Sequence, residues 1–223
     1  MADRYTYLAL LPFHFALASW LVQIWMTGVI RIPFRLGVLA GLGLVIVLGS
    51  LSLRQTWHWQ DEESLWTRVI DVEPDNYWAW VDRGLYRLKA NRPDDALPDF
   101  DRALAIDPTN AAALNGRAVI FILEGEFDKA TADLDKAIHL VPRYVDAISN
   151  RGVAHFNNQA FEAARRDFQR ALELDASDAT LWFKMALCEI ELGNDDSARA
   201  AFEQAKQRGY NTDQIRYYQK RIE

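Results

Sequence analysis

A 34-residue period from Tyr77 to Thr212 constrains the fold of this chain more than any other feature. Small residues set the register at Gly84, Ala118, Gly152 and Ala186. Twelve places later a second small residue recurs as Ala96, Ala130, Ala164 and Ala198. Four places on, a bulky apolar residue stands at Phe100, Leu134, Phe168 and Phe202; Ala103, Ala137, Ala171 and Ala205 follow three further on. The copies span 77–110, 111–144, 145–178 and 179–212 with no insertion. Each predicts two amphipathic helices joined by a short turn, the turns falling at Asn91–Pro93, Glu124–Glu126, Asn158–Ala160 and Gly193–Asp195. Small residues suit the crossing of the two helices, where backbones approach closely, and bulky ones fill the space between pairs. Pro108 and Pro142 stop the second helix, because proline lacks an N–H and clashes with the preceding turn; Ala176 stands there in the third copy. One copy cannot bury its apolar face alone, so the copies must stack.

This period and spacing resemble the tetratricopeptide repeat, which implies an all-α, right-handed α-solenoid built from helix pairs. Residues 57–76 read as a connecting half-repeat, a second helix without its first: Trp66 takes the bulky position, Val69 the small one and Pro74 the stop. Residues 213–223 read as a polar capping helix with Ile215 and Tyr218 turned to the solenoid.

The first 56 residues are of another kind. Tyr5 to Ile30 and Leu36 to Leu53 carry no charge, and a membrane-spanning helix needs about 20 mostly apolar residues. Two transmembrane helices at 5–30 and 36–53 are therefore expected to enter a lipid bilayer. Gly37 and Gly41 would let the second pack closely on a neighbour. The competing readings are two buried helices of a soluble protein and a cleaved signal peptide; the missing polar stripe in Leu36–Leu53 speaks against the first, the length of the run and the second span against the other. Arg31 and Arg35 between the runs place that loop in the cytoplasm, with Arg4 and Arg54 on the far side. The repeats are then extracytoplasmic, and the expected location is a bacterial inner membrane. Trp57 and Trp59 suit the membrane interface.

Ala2-Asp3-Arg4-Tyr5-Thr6-Tyr7-Leu8, followed by two apolar runs and then by Trp59-Gln60-Asp61 and Ser64-Leu65-Trp66, resembles the C-terminal portion of the transmembrane and tetratricopeptide-repeat family. Members of that family are similar to protein O-mannosyltransferases. The resemblance implies a lumenal or periplasmic repeat domain attached to a glycosyltransferase membrane core, and Met1 reads as an internal methionine of a longer protein or the start of a shortened one. Ala9 stands where the family usually has proline. The family's catalytic acids belong to an early loop that has no counterpart here, so no catalytic residue is carried over.

Residues 57–223 hold 30 acids against 21 bases, so phosphates are repelled and no nucleic-acid partner is expected. None of His14, His58, His139 and His155 stands at ligand spacing from another, and Cys188 is the lone cysteine; no metal, cofactor or enzymatic constellation is predicted. His155 and Cys188 read as packed side chains, while His14 lies in an apolar run, where an ionisable group is a functional candidate.

Two repeating features remain. Arg83, Arg117 and Arg151 recur with Asp99, Asp133 and Asp167 sixteen residues later, and both give way together to Met185 and Ala201. This predicts an ion pair between the two helices of each of the first three repeats. The first helices should also line a concave groove for a protein or peptide ligand, through Trp78, Val81, Leu85 and Leu88; Asn115, Val119 and Ile122; Ser149, Val153 and Phe156; Phe183, Leu187 and Ile190. The expected function is a membrane-anchored, non-catalytic scaffold for protein–protein interaction. The alternative is the acceptor-binding C-terminal portion of a membrane glycosyltransferase whose catalytic region lies outside this chain.

Overall fold

The computed structural model of the protein describes residues 62–220, together with the single positions Gln23, Gly43 and Val47. The apolar runs 5–30 and 36–53, His14, Trp57 and Trp59 lie outside the described residues. Among the described residues no helix is long and apolar enough to cross a membrane. The chain divides into two compact units, Met1–His58 and Trp59–Glu223, and the second is described here.

Ten helices and no strands make up the described residues: α1 (Glu62–Val72), α2 (Tyr77–Lys89), α3 (Pro93–Ile106), α4 (Ala111–Leu123), α5 (Phe127–Leu140), α6 (Val145–Asn157), α7 (Phe161–Leu174), α8 (Ala179–Glu191), α9 (Asp195–Gln207) and α10 (Thr212–Gln219). Helices α2/α3, α4/α5, α6/α7 and α8/α9 form antiparallel pairs, with α1 packed on α2 and α10 on α9. The first helices of successive repeats touch, α2 on α4, α4 on α6 and α6 on α8, whereas the second helices do not pack on one another comparably. A stack whose first helices lie closer together than its second helices curves with the first helices inside.

The sequence columns explain the pairing. Ala96, Ala130, Ala164 and Ala198 are fully buried, as are Phe100, Leu134 and Phe202. Phe100 is wedged between two glycines. A Cβ at Gly84 would stand 2.9 Å from its ring, and one at Gly116 of the next repeat would overlap it. Within each pair the turn needs one residue with left-handed backbone: Asn91, Gly125, Gln159 and Gly193 take φ of 58, 79, 59 and 74°, again 34 residues apart. The third repeat ends its second helix without proline. Asp175 accepts hydrogen bonds from the Ser177 N–H (2.9 Å) and hydroxyl (2.6 Å), and the Trp182 indole donates to the Ala176 carbonyl at 2.9 Å. Trp80 makes the matching bond to the Pro74 carbonyl. The first repeat makes the same turn around its proline, with the Thr109 N–H and hydroxyl donating to Asp107, so the third repeat keeps the Asp-x-Ser/Thr stop and lacks only the ring.

Candidate functional site

The inner surface is built from one helical stripe per first helix. Residues three and four apart share a helix face, so Trp78, Asp82, Leu85 and Lys89 align on α2, and Ala112, Gly116, Val119 and Leu123 on α4. Trp78 and Leu123 are more than half exposed, large apolar side chains held in water. The neighbouring column, Val81, Asn115, Ser149 and Phe183, is buried. Of the groove set read from the sequence, these four residues are buried along the first helices. Three of them meet the residue 35 positions later on the following helix. Val81 lies opposite Gly116 in this register. Asn150 donates its Nδ2–H to Asn115 Oδ1 at 2.9 Å, Lys184 Nζ donates to Ser149 Oγ at 2.9 Å, and the Phe183 and Tyr218 rings meet edge to face at 5.7 Å. Along the groove the seams therefore change from apolar to amide to cationic to aromatic.

The remaining predicted groove residues divide. Leu85, Leu88 and Ile122 are half-buried against the main core, Val153 and Phe156 against the Ala164–Phe168–Cys188 cluster, and Leu187 and Ile190 against the C-terminal cluster. Val119 is half-buried on the stripe itself. Sequence reasoning passed over Asp82, Gly116, Asn150 and Lys184, which sit one residue beyond the buried column. The one sequence signal at these positions is their variety, since the next column is the repeating Arg83, Arg117 and Arg151.

Two of these groove charges are perturbed. Burial pushes the Asp82 carboxyl above its ordinary value, reinforced by Glu62 and opposed by Lys89. Burial also pushes the Lys184 ammonium below the usual lysine range, opposed by Asp178 and Asp146. Lys184 forms no ion pair with a carboxylate among the described residues.

The repeated arginines hold the outer layers together. Arg83 grips Asp99 through Nε (3.0 Å) and Nη2 (2.7 Å), Arg117 grips Asp133 (2.7 and 2.9 Å), and Arg151 grips Asp167 (2.9 and 2.6 Å). The three aspartates are 5% exposed or less. The third guanidinium nitrogen reaches back to the preceding repeat: to Thr67 Oγ1 at 3.2 Å, Asp101 at 2.8 Å and Asp135 at 2.6 Å. The acids raise Arg117 and Arg151 above the usual arginine value, Asp133 and Asp167 contributing most. His155 lies beside the third pair, 3.8 Å from Asp167.

Among the described residues no group of three His, Cys, Asp or Glu side chains could hold a metal ion. Cys188 is buried and donates to the Phe161 carbonyl at 3.1 Å; burial pushes its thiol up to about 11. It is packed, not poised for reaction.

The tetratricopeptide repeat profile matches residues 81–145 and 149–212, more than half of the chain. The chain belongs to the tetratricopeptide repeat family. Solved structures with the same fold include PilF of Pseudomonas aeruginosa (TM-score 0.62, 18% identity, 81% of this chain and 86% of that one). YrrB, described as a TPR protein with an unusual peptide-binding site, is similar at TM-score 0.60 and 20% identity over 70% of this chain and 81% of its own. MamA is similar at TM-score 0.58 and 20% identity, over 64% and 84%. At these identities the likeness is one of fold. No curated protein matches the chain.

Proposed function

We propose that this chain is a membrane-anchored scaffold whose inner groove binds a segment of another protein. The observation that carries the reading is the pair Trp78 and Leu123 on the first helices, large apolar side chains that stand exposed. Large apolar side chains on a concave surface, spaced among fixed hydrogen-bonding groups, suit an extended peptide or an amphipathic helix. The peptide-binding site named for YrrB supports the same use of the fold. Anchoring rests on the charge-free runs 5–30 and 36–53, and the two arginines between them favour extracytoplasmic repeats. No catalytic role is assigned to any residue.

The test is crosslinking capture from membranes by the full chain, with Trp78→Glu/Leu123→Glu as the comparison. These substitutions touch exposed positions, so folding should survive, as circular dichroism would verify. A defined set of partners held by the wild type and lost by the variant is the expected result. Equal capture by both would remove the groove as the binding surface. Alkaline extraction tests the anchor: release of the full chain into the supernatant would rule out the two spans.

The second reading is the acceptor-binding portion of a membrane glycosyltransferase. It rests on the Ala2–Leu8 heptad and the Trp59–Trp66 segment. It predicts that the captured partners carry O-linked sugar; unmodified partners would argue against it.

A further inference from the structure

The last seam of the groove differs from the others in being walled by aromatic rings. Helix α10 continues the repeat register, so that Tyr217 follows Phe183 in one column and Tyr218 follows Lys184 in the next. Ile215 anchors the helix, buried in the cluster of Phe183, Ala201 and Phe202. The 34-residue pattern then stops: Lys220 occupies the place where Gly84, Ala118, Gly152 and Ala186 stand, and no small residue permits another helix crossing. Tyr217 therefore occupies a column that is buried in the four repeats, yet is itself 64% exposed.

Phe183, Tyr210, Asp213, Gln214, Tyr217 and Tyr218 enclose an open cavity of about 590 Å³. Phe183 and Tyr210 stack with centroids 4.3 Å apart, and Tyr218 stands edge-on to Phe183 and to Tyr217. Rings meeting at right angles form a corner that presents aromatic faces on more than one side. The Tyr210 hydroxyl donates to Gln214 Oε1 at 3.0 Å, which fixes that wall. The lining contains one acid and no base. Asp213 is 91% exposed and, among the described residues, pairs with Arg216 of its own helix at 3.6 Å. Lys184, one residue after Phe183, is engaged with Ser149.

We propose that this aromatic corner, on the reading of the groove as a peptide-binding surface, takes a cationic side chain of the bound segment, an arginine or a lysine. A cation over the face of an aromatic ring is attracted by the ring quadrupole, and Asp213 supplies the countercharge. The acidic balance of residues 57–223 favours approach of a basic segment. Successive first helices lie about 10 Å apart, so an extended peptide passes one seam for about every three residues. The basic residue then lies about three residues beyond the one that meets Lys184.

The probe is fluorescein-Gly-Gly-Arg-Gly-Gly-amide, labelled at its N-terminal amine and titrated with the full chain in detergent, against the same peptide carrying citrulline. Citrulline keeps the shape of arginine, puts a carbonyl oxygen in place of one guanidinium nitrogen and removes the charge. The arginine peptide is expected to bind about tenfold more tightly than the citrulline peptide. Tyr217→Ala should bring both to the same affinity, and Asp213→Asn should weaken the arginine peptide several-fold while leaving citrulline unchanged. Tyr217 is exposed, so its removal leaves the core intact; Tyr217→Phe should retain binding. Equal affinity for the two peptides, preference for a glutamate peptide, or indifference to Tyr217→Ala would each overturn the proposal. Partners captured from membranes separate it from the broader reading. Capture lost in Trp78→Glu/Leu123→Glu but kept in Tyr217→Ala would leave the groove standing and remove the aromatic corner.

Discussion

Gln159 shows how strictly the period governs single residues. Its backbone takes φ 59°, which glycine supplies at the matching positions of the second and fourth repeats and asparagine at the first. A side chain with a Cβ is strained there by about 1–2 kcal/mol, of which the flexibility of glycine in the unfolded chain takes back part. Gln159→Gly should therefore raise stability by about 0.5–1 kcal/mol in denaturant unfolding. Gly152→Ala should act in the opposite direction, because its Cβ would stand 2.7 Å from the Phe168 ring. Phe168 is buried and has no room to retreat, so a loss of about 1–3 kcal/mol is expected. Asp82 links stability to the groove. Its carboxyl is raised in the folded state by burial and by Glu62, so the folded protein holds that proton more tightly than the unfolded chain. Stability contributed by this group is lost as pH rises from 3.8, its ordinary value, through the folded value. Asp82→Asn should match the wild type in melting temperature at low pH and exceed it at neutral pH. Identical melting curves at pH 7 would show that the buried charge carries no penalty.

At the scale of helices, the arginines act as ties between three elements. Arg117 and Arg151 each lie sixteen residues after one acid and sixteen before another, so Arg117 joins Asp101 on α3 to Asp133 on α5 across α4. The pairing within each repeat was legible because both partners recur with the period and fail together. The reach to the preceding repeat was legible only in part: Asp101 and Asp135 recur too, but Thr67 breaks the column at its start. Met185, Ala201 and Gln169 occupy the three places in the last repeat, which folds without the tie. This supplies a test from the protein's own sequence. Arg117→Met alone should cost about 3 kcal/mol, since it leaves Asp133 charged and buried. The triple substitution Arg117→Met/Asp101→Gln/Asp133→Ala, copying the last repeat, should recover most of that loss. Additive losses across the three sites would mean that the tie stabilises through net attraction rather than through mutual neutralisation. The groove was harder to read than the ties, because one residue of offset along a helix separates a buried seam from an open stripe. Val81 and Asp82 are neighbours in sequence, yet one is buried and the other only half-buried. The sequence fixes the columns; helix rotation, decided by packing of α2 on α4, settles which of them is covered.

The whole repeat unit should behave as a linear array, in which each helix pair is stabilised only by its neighbours. Its two ends differ. At the start, α1 is held by Glu63, which accepts from Arg87 at 2.7 Å and Arg92 at 2.7 Å, and these arginines, Arg92 first, hold its carboxyl below the usual range. At the other end α10 rests on Ile215 inside a small cluster separate from the main core. The arginine–aspartate tie is absent from the last pair, where Met185 and Ala201 stand in its place. Local opening should therefore begin at α8 to α10 and reach the central repeats last. Cys188 reports this directly: it is fully buried between α8 and the start of α7, and it becomes reactive only when the last repeat leaves the stack. In the full chain, thiol labelling at neutral pH should be slow and should follow amide exchange of α8 and α9. Ile215→Glu removes the anchor of α10 and should speed labelling at least tenfold, with exchange in α4 and α5 unchanged. If α4 and α5 accelerated equally, the repeats would be opening as one cooperative block, and the separate core cluster at the C-terminal end would have no energetic meaning.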